Sequence, residues 1–547
     1  MSSARHLLRA SGALLTLGLS ACSQPFTAEL TERTVLDLRI EPSQAVLTTS
    51  PSGGGPQQFV AMATWSDGAV EPLPAAEWTL SNTSTGDIDE TGLFVPSRDN
   101  GGVSYVRARF DGVGAEAELR VEFEDAWVEE GADPALFTGT AATAVLWRYP
   151  EDGVNIPRNT PSITFQWSAA ALPEAPLCYM LRFQSAITDI RVYTTATSWS
   201  ADEETWASLA ATNAGGSLTV TVAAATAASG VFADAPRDIT INRMDGQGEI
   251  YYWSTSAAGV KRIPYGGAAA DYLSQGTTGY CIGCHAVSSQ GRMAFSFDGG
   301  NGAMGLLDTS NGGYVAGHES GATGNFKTFS PDGSRLLVTF AGDLFLYDGV
   351  TGAFLSAVPL EQTVTHVDWS PDGTLIALTA TTSHPLDWTS GGGAIAVMEV
   401  LGDGSFGPLQ MLYDPPDPTI AYYPAFSPDG DWIAFNVSTE DTYDDVTATL
   451  MVMPAEGGTP IPLVAANQAE GLTNSWPRWG PLPDDDILWL AFSSKRAYGD
   501  VVNGLPQLWV AAFDPAAAAA GEDPSFPAFW LPGQDATQSN HIPVWAP

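Results

Sequence analysis

The chain has 547 residues, 62 acidic against 22 basic side chains and a net charge of −40. That length calls for several domains, and the charge argues against a nucleic-acid or anionic-lipid surface and suits solubility in a salty exterior. Its 56 Gly and 38 Pro, beside 44% hydrophobic residues and 17 Trp, point to packed cores joined by many turns, as in all-β chains.

Arg5 and Arg9 form a positive start, and Ala13 to Leu19 is an apolar run too short to span a membrane. Leu19-Ser20-Ala21-Cys22 then resembles the lipobox of bacterial lipoproteins. Within the signal segment 1–22 the resemblance implies cleavage before Cys22, with lipid on its sulfur; an ordinary signal peptide with a chance Cys is the alternative. Ser23 in place of Asp implies, by the same resemblance, an outer-membrane protein on the periplasmic or surface face. No later stretch of about 18 uninterrupted apolar residues follows, so the expectation is an anchored, extracytoplasmic chain. Residues 23–34 read as a linker.

Residues 35–123 read as a small β-sandwich. Leu36, Leu38 and Ile40 alternate with Asp37 and Arg39, and Ala115, Ala117, Leu119, Val121 and Phe123 alternate with polar residues. Trp65-Ser66-Asp67-Gly68, Trp78-Thr79-Leu80-Ser81 and the turn leading to Gly92-Leu93-Phe94 lie between them. This order resembles bacterial immunoglobulin-like domains, which implies a spacer or adhesive module. Residues 124–265 read as a second sandwich, similar to a fibronectin type III domain. Its strands are marked by Ile163, Phe165 and Trp167, by Tyr179, Leu181 and Phe183, and by Leu218, Val220 and Val222. Trp199 and Trp206 are expected in its core, and so is the lone Cys178.

Cys281-Ile282-Gly283-Cys284-His285 carries the strongest chemical signal. Cys-x-x-Cys-His is the attachment signature of a c-type haem: both thiols bond the macrocycle edge and His285 becomes the proximal ligand. Given a Cys pair, a following His arises by chance in about one case in ninety at this composition. The alternatives are a disulfide, free thiols, or a zinc site with a fourth ligand from elsewhere. The Gly/Ala/Ser-rich flanks and the β-repeat that begins at once are unlike the helical wrapping of small cytochromes.

A repeat fills residues 266–547. Phe329-Ser330-Pro331-Asp332-Gly333, Trp369-Ser370-Pro371-Asp372-Gly373 and Phe426-Ser427-Pro428-Asp429-Gly430 each precede an apolar strand, with degenerate copies at Trp479-Gly480-Pro481 and at Ser288-Ser289-Gln290-Gly291. The series closely resembles the TolB-type repeat, and the resemblance implies a β-propeller, here of six blades. The orphan Pro543 to Pro547 needs partners. Either Ile250–Ser254 and Val260–Tyr265 complete the last blade, or those residues belong to the second sandwich; the expectation is the sandwich.

Counted back from the turns, Cys284, Phe326, His366, Tyr423, Trp476 and Ile542 share one register. They are expected to ring one mouth of the axial channel, with haem capping it. His366 or His541 is the expected sixth ligand, Met293 and Met304 the alternatives; His285, His366 and His541 are thus the candidate metal ligands. Asp441, Asp444 and Asp445 are expected to be a solvated acidic loop rather than a calcium site.

Taken together, the chain is expected to be all-β: two sandwiches followed by a propeller, anchored through Cys22. It is expected to be a binding scaffold for an envelope or surface protein, and not an enzyme. A mono-haem electron-transfer or redox-sensing protein is the alternative. A propeller-associated hydrolase ranks last, since no Gly-x-Ser-x-Gly, phosphate loop or His-Glu-x-x-His is present.

Overall fold

The computed structural model describes residues 33–547, apart from 140, 228–229, 299–301, 383–388, 390 and 482–485. The signal segment and Cys22 lie outside the described residues. The regular secondary structure is nearly all strand, and among the described residues no helix is long and apolar enough to cross a membrane.

The first lobe buries Leu38, Ile40, Phe59, Phe94, Val106, Leu119 and Val121. Alternation holds in the strand Val113–Val128, whose apolar positions from Ala117 to Phe123 point inward. It fails at Leu36, which is exposed. A register irregularity between Val35 and Asp37 turns Val35 into the core instead and Leu36 out.

Val113–Val128 also joins the two lobes. It pairs antiparallel with Gly102–Phe110 and parallel with Gln44–Thr49, and from Phe123 onward parallel with Thr188–Thr194. The two lobes therefore share one 11-stranded sheet. The expected boundary between 123 and 124 falls inside a strand. The second lobe adds the helix Glu203–Thr212, whose N-terminus is capped by Asp202 accepting from Thr205 N at 2.8 Å. Trp199, Trp206 and Cys178 are buried there, as their apolar surroundings predicted.

Among the described residues six four-stranded sheets follow, one per blade. The innermost strands of the first five are Ile282–Ser288, Lys327–Phe329, Val364–Trp369, Ile420–Phe426 and Ser475–Trp479. The sixth is a composite. Its inner strand is the C-terminal Asn540–Ala546, which pairs antiparallel with Glu249–Ser254; Gly259–Pro264 and Ala270–Leu273 complete the sheet. Residues 249–264 thus close the propeller and do not belong to the second sandwich. The reason is edge chemistry: the last inner strand carries a full row of backbone donors and acceptors, and only a strand from before the first blade can cover it without leaving the ring open.

The second lobe packs on the propeller. Tyr149 Oη accepts from Trp530 N at 3.0 Å and Gln166 Oε1 from Asp500 N at 3.1 Å, inside one hydrophobic cluster that runs from Phe165 to Phe529. The second lobe and the propeller thus share one packed junction.

Candidate functional site

The turn motif explains how the inner strands are held. In Ser330-Pro331-Asp332-Gly333 the Asp332 carboxylate accepts from Ser330 Oγ at 2.6 Å and Ser334 N at 3.0 Å. Asp372 does the same with Ser370 Oγ at 2.6 Å and Thr374 N at 3.0 Å. Those hydrogen bonds hold both carboxyls below the usual range. The motif is structural, and it fixes where each inner strand begins and ends relative to the axis.

At the shared register the backbone departs from regular strand. Cys284, His366, Tyr423, Trp476 and Ile542 have φ of 44°, 47°, 53°, 60° and 53°. A side chain in this left-handed region is strained by about 1–2 kcal/mol, so its recurrence on five blades reflects the architecture. Each lies at a register shift in the inner-strand pairing, which is a bulge that re-aims the side chain. Phe326, the sixth member, stands just before its strand.

The bulges bring these side chains together as a plug. Phe326 lies 4.4 Å from His366, 6.0 Å from Tyr423 and 5.6 Å from Trp476, measured between ring centroids. His366 lies 4.0 Å from Tyr423, and Tyr423 stacks on Trp476 at 3.7 Å. Ile542, Cys284 and Tyr443 pack against the same cluster. The ring of aromatics expected at one mouth of the channel is present, and it closes that mouth.

The motif residues divide around this plug. Cys284 packs against it, with Sγ 3.6 Å from Asn325 Oδ1. Cys281 precedes the strand; its carbonyl accepts from Asp298 N at 2.7 Å, and burial raises its thiol pKa. The two are not joined in a disulfide. His285 is 6% exposed and borders the cavity beyond the plug. Burial drives its pKa down to about 4, with the Tyr251 backbone pulling the other way and Lys327 and Arg478 adding to the drop. Neither ring nitrogen makes a well-formed hydrogen bond.

The other candidates are dispersed. His366 Nδ1 lies 3.2 Å from Thr379 Oγ1, and burial pushes its pKa well below the usual value. His541 Nδ1 accepts from Ile542 N at 2.9 Å, which fixes the proton on Nε2; burial lowers its pKa to about 4. An Nε2 that carries the proton is a poor iron ligand unless the Ile542 bond breaks. Met293 and Met304 are buried in two different blade cores. Among the described residues no three His, Cys, Asp or Glu side chains converge to hold a metal ion, so His285, His366 and His541 do not share a centre. Asp445 accepts from the amides of Glu440, Asp441 and Thr447, and Asp444 pairs with Lys495 at 2.6 Å: a self-satisfied acidic loop.

Haem fits in its donor chemistry: two thiols at the attachment spacing, not joined in a disulfide, and an imidazole that burial keeps neutral. Cys281, Cys284 and His285 are the residues that would hold it.

The register reading stopped short of the channel wall. Two residues beyond the plug, Ala286, Thr328, Asp368, Ala425, Arg478 and Val544 line a cavity of about 280 Å³ that opens between the turns. Asp368 Oδ2 accepts from Phe426 N at 2.8 Å; burial raises its pKa, partly countered by Arg478. Arg478 Nη1 reaches only the carbonyls of Pro477 and Pro424, at 3.2 and 3.5 Å. Lys327 lines the cavity too; its Nζ donates to Cys284 O, Ser296 Oγ and Asn325 O at 2.9, 2.7 and 2.5 Å, and burial lowers its pKa to about 8. Counting on by two from the shared register finds these wall residues in the sequence.

No family model and no curated protein matches the chain in sequence. Solved structures match at the level of fold. TolB from Acinetobacter baumannii is 14% identical over 60% of this chain and 79% of that one, with a TM-score of 0.37. A putative TolB from Agrobacterium tumefaciens is 16% identical over 52% and 89%, at 0.32. The Cps50 (Swd1) β-propeller domain is 14% identical over 43% and 80%, at 0.30. The chain is similar to these in being a β-propeller protein; its six-bladed closure rests on its own strand pairing.

Proposed function

We propose that this chain is an extracytoplasmic binding protein, lipid-anchored at Cys22, whose propeller engages an envelope or surface protein at the turn face. The observation that carries this reading is the blind axial pocket. One side chain from each blade converges on it, three of them polar or charged, and it opens between the Ser-Pro turns. Ligands are held where a rigid ring aims convergent polar groups into a concave site. Catalysis forms no part of the reading. The test is site-specific photo-crosslinking from Ser289 or Pro371 at the pocket rim, in cells carrying wild-type or Arg478→Ala protein. A defined envelope adduct that the substitution removes supports the reading; no adduct from either rim position sinks it. Membrane fractionation of Cys22→Ala checks the anchor.

A second reading, a haem c redox protein, is favoured by one feature: the buried, neutral His285 beside two thiols that form no disulfide. Haem, once attached, would supply one-electron chemistry. A pyridine haemochrome spectrum on protein produced with a cytochrome c maturation system decides it. A haem c signal lost in Cys281→Ser and Cys284→Ser supports the reading, and absence of haem after full maturation returns both thiols to structure.

A further inference from the structure

We infer that the axial pocket holds a carboxylate with a hydrogen-bond donor on a neighbouring atom, the carboxylate on Arg478 and the donor on Asp368. This deepens the binding reading above and rests on it.

Three features point to this ligand chemistry. The first is the state of the two charged wall residues. Among the described residues neither forms an ion pair, although they line one cavity. Arg478 spends one nitrogen on two backbone carbonyls and leaves the rest of its planar fork without a protein acceptor. A fork of this shape suits a planar carboxylate, bidentately, better than a spherical anion. Asp368 keeps one oxygen on the Phe426 amide and borders the cavity, so it is an acceptor for an N–H or O–H close to the bound carboxylate.

The second feature is His285. It lines the same cavity, is 6% exposed, and has no well-formed hydrogen bond at either ring nitrogen. Its ring nitrogens are buried, with the Tyr251 backbone as their polar neighbour, so His285 gives the cavity an uncharged wall and leaves the anion to Arg478.

The third is charge and size. The chain carries −40 overall, yet the titratable side chains lining this cavity are Arg478, Lys327, Asp368 and His285, the Lys327 ammonium being held on Cys284 O. Low-dielectric walls strengthen that local positive balance toward an anion. The volume of about 280 Å³ lies at the low end for ligand pockets, and the Phe326, Tyr423 and Trp476 plug seals the far end. A blind pocket of this size takes a small acid or one chain terminus and does not thread a polymer.

The experiment is isothermal titration of the purified soluble chain with L-lactate, L-alanine, acetate, lactamide, and Ala-Ala-Ala with a free or an amidated C-terminus. Saturable binding of lactate, alanine or the free tripeptide is expected, at least ten-fold tighter than acetate, with lactamide and the amidated peptide silent. Lactate or alanine bound without the tripeptide identifies a free acid; the free tripeptide bound more tightly identifies a chain terminus. Arg478→Gln is expected to weaken binding at least ten-fold and Asp368→Asn to erase the advantage over acetate, with circular dichroism confirming the fold. Arg478→Lys, which keeps the charge and loses the fork, should weaken binding several-fold and serves if Arg478→Gln does not fold. No saturable binding of any carboxylate, or binding indifferent to a folded Arg478 variant, overturns the inference. A wild-type chain that crosslinks an envelope protein but binds no carboxylate overturns this inference alone and leaves the proposed function standing.

Discussion

The indole of Trp476 stacks on the phenol of Tyr423 with centroids 3.7 Å apart and planes 26° from parallel. The two come from neighbouring blades, each from a residue held at positive φ. The contact is therefore a blade-to-blade bond at the axis, where the six sheets approach most closely. It turns what would be a through-channel into a pocket closed at one end.

Removing that ring should be costly. Trp476 is 3% exposed, and truncating a buried aromatic side chain costs about 3–5 kcal/mol. Trp476→Ala is expected to lower the unfolding free energy by that amount in a urea titration and to open the channel to solvent. Trp476→Phe, which keeps a ring there, should lose less than half as much. Equal losses in the two variants would show that the stacking does not hold the blades together.

Closure of the ring makes a second prediction. Asn540–Ala546 has its partner nearly 300 positions earlier in the chain, so the sixth blade exists only when both ends meet. Deleting residues 540–547 should expose Glu249–Ser254 as an unpaired edge and give an aggregation-prone protein. Hydrogen exchange measures this: amides of Glu249–Ser254 are expected to lose their protection in the deletion variant, while strands of the second lobe such as Cys178–Gln184 keep theirs.

The repeat was legible because its chemistry is local. Ser, Pro, Asp and Gly at fixed offsets dictate one turn, and the apolar run after it dictates one strand, so the blades and the axial register of Cys284, His366, Tyr423 and Trp476 could be counted in the sequence. What could not be counted was non-local. The pairing of Asn540–Ala546 with Glu249–Ser254 competes with a sandwich strand of the same alternation, and only the unsatisfied edge of the finished ring decides it. The strand Val113–Val128 serves two lobes because its alternation continues unbroken past Phe123, which no period marks as a boundary. Asp368 and Arg478 are ordinary strand residues until the six registers are superposed. The exposed Leu36 shows the limit of periodicity itself, since one irregular residue pair flips the face.

The turn carboxylates should contribute to stability one blade at a time. Asp372 accepts from Ser370 Oγ, Thr374 N and Thr374 Oγ1 at 2.6, 3.0 and 2.7 Å. Hydrogen bonds to a charged acceptor contribute about 1.5–3 kcal/mol when buried and less at a surface turn. Asp372→Ala is expected to cost about 1–2 kcal/mol in a urea titration, and Asp372→Asn about half of that. A loss below about 0.3 kcal/mol in both would show the turn to be set by Pro371 and Gly373 instead.

Acid should loosen the axis before it affects the lobes. His285 and His541 have folded-state pKa values of about 4, against 6.5 when exposed, because burial disfavours the imidazolium. Between pH 6.5 and 4 the unfolded chain therefore binds more protons at these sites than the folded chain does. Stability rises with pH across that window, so it is fully present above about pH 6.5 and is lost as pH falls toward 4. At about 1.4 kcal/mol per pH unit per group, each imidazole accounts for about 3 kcal/mol over the window. His541→Gln, whose amide oxygen can still accept from Ile542 N, should flatten the stability profile between pH 6.5 and 4 by about that amount while leaving the profile above pH 7 unchanged. The measurement is a series of urea midpoints from pH 4 to 8 on wild type and variant. Parallel profiles across the whole range would show that His541 is not buried in its neutral form.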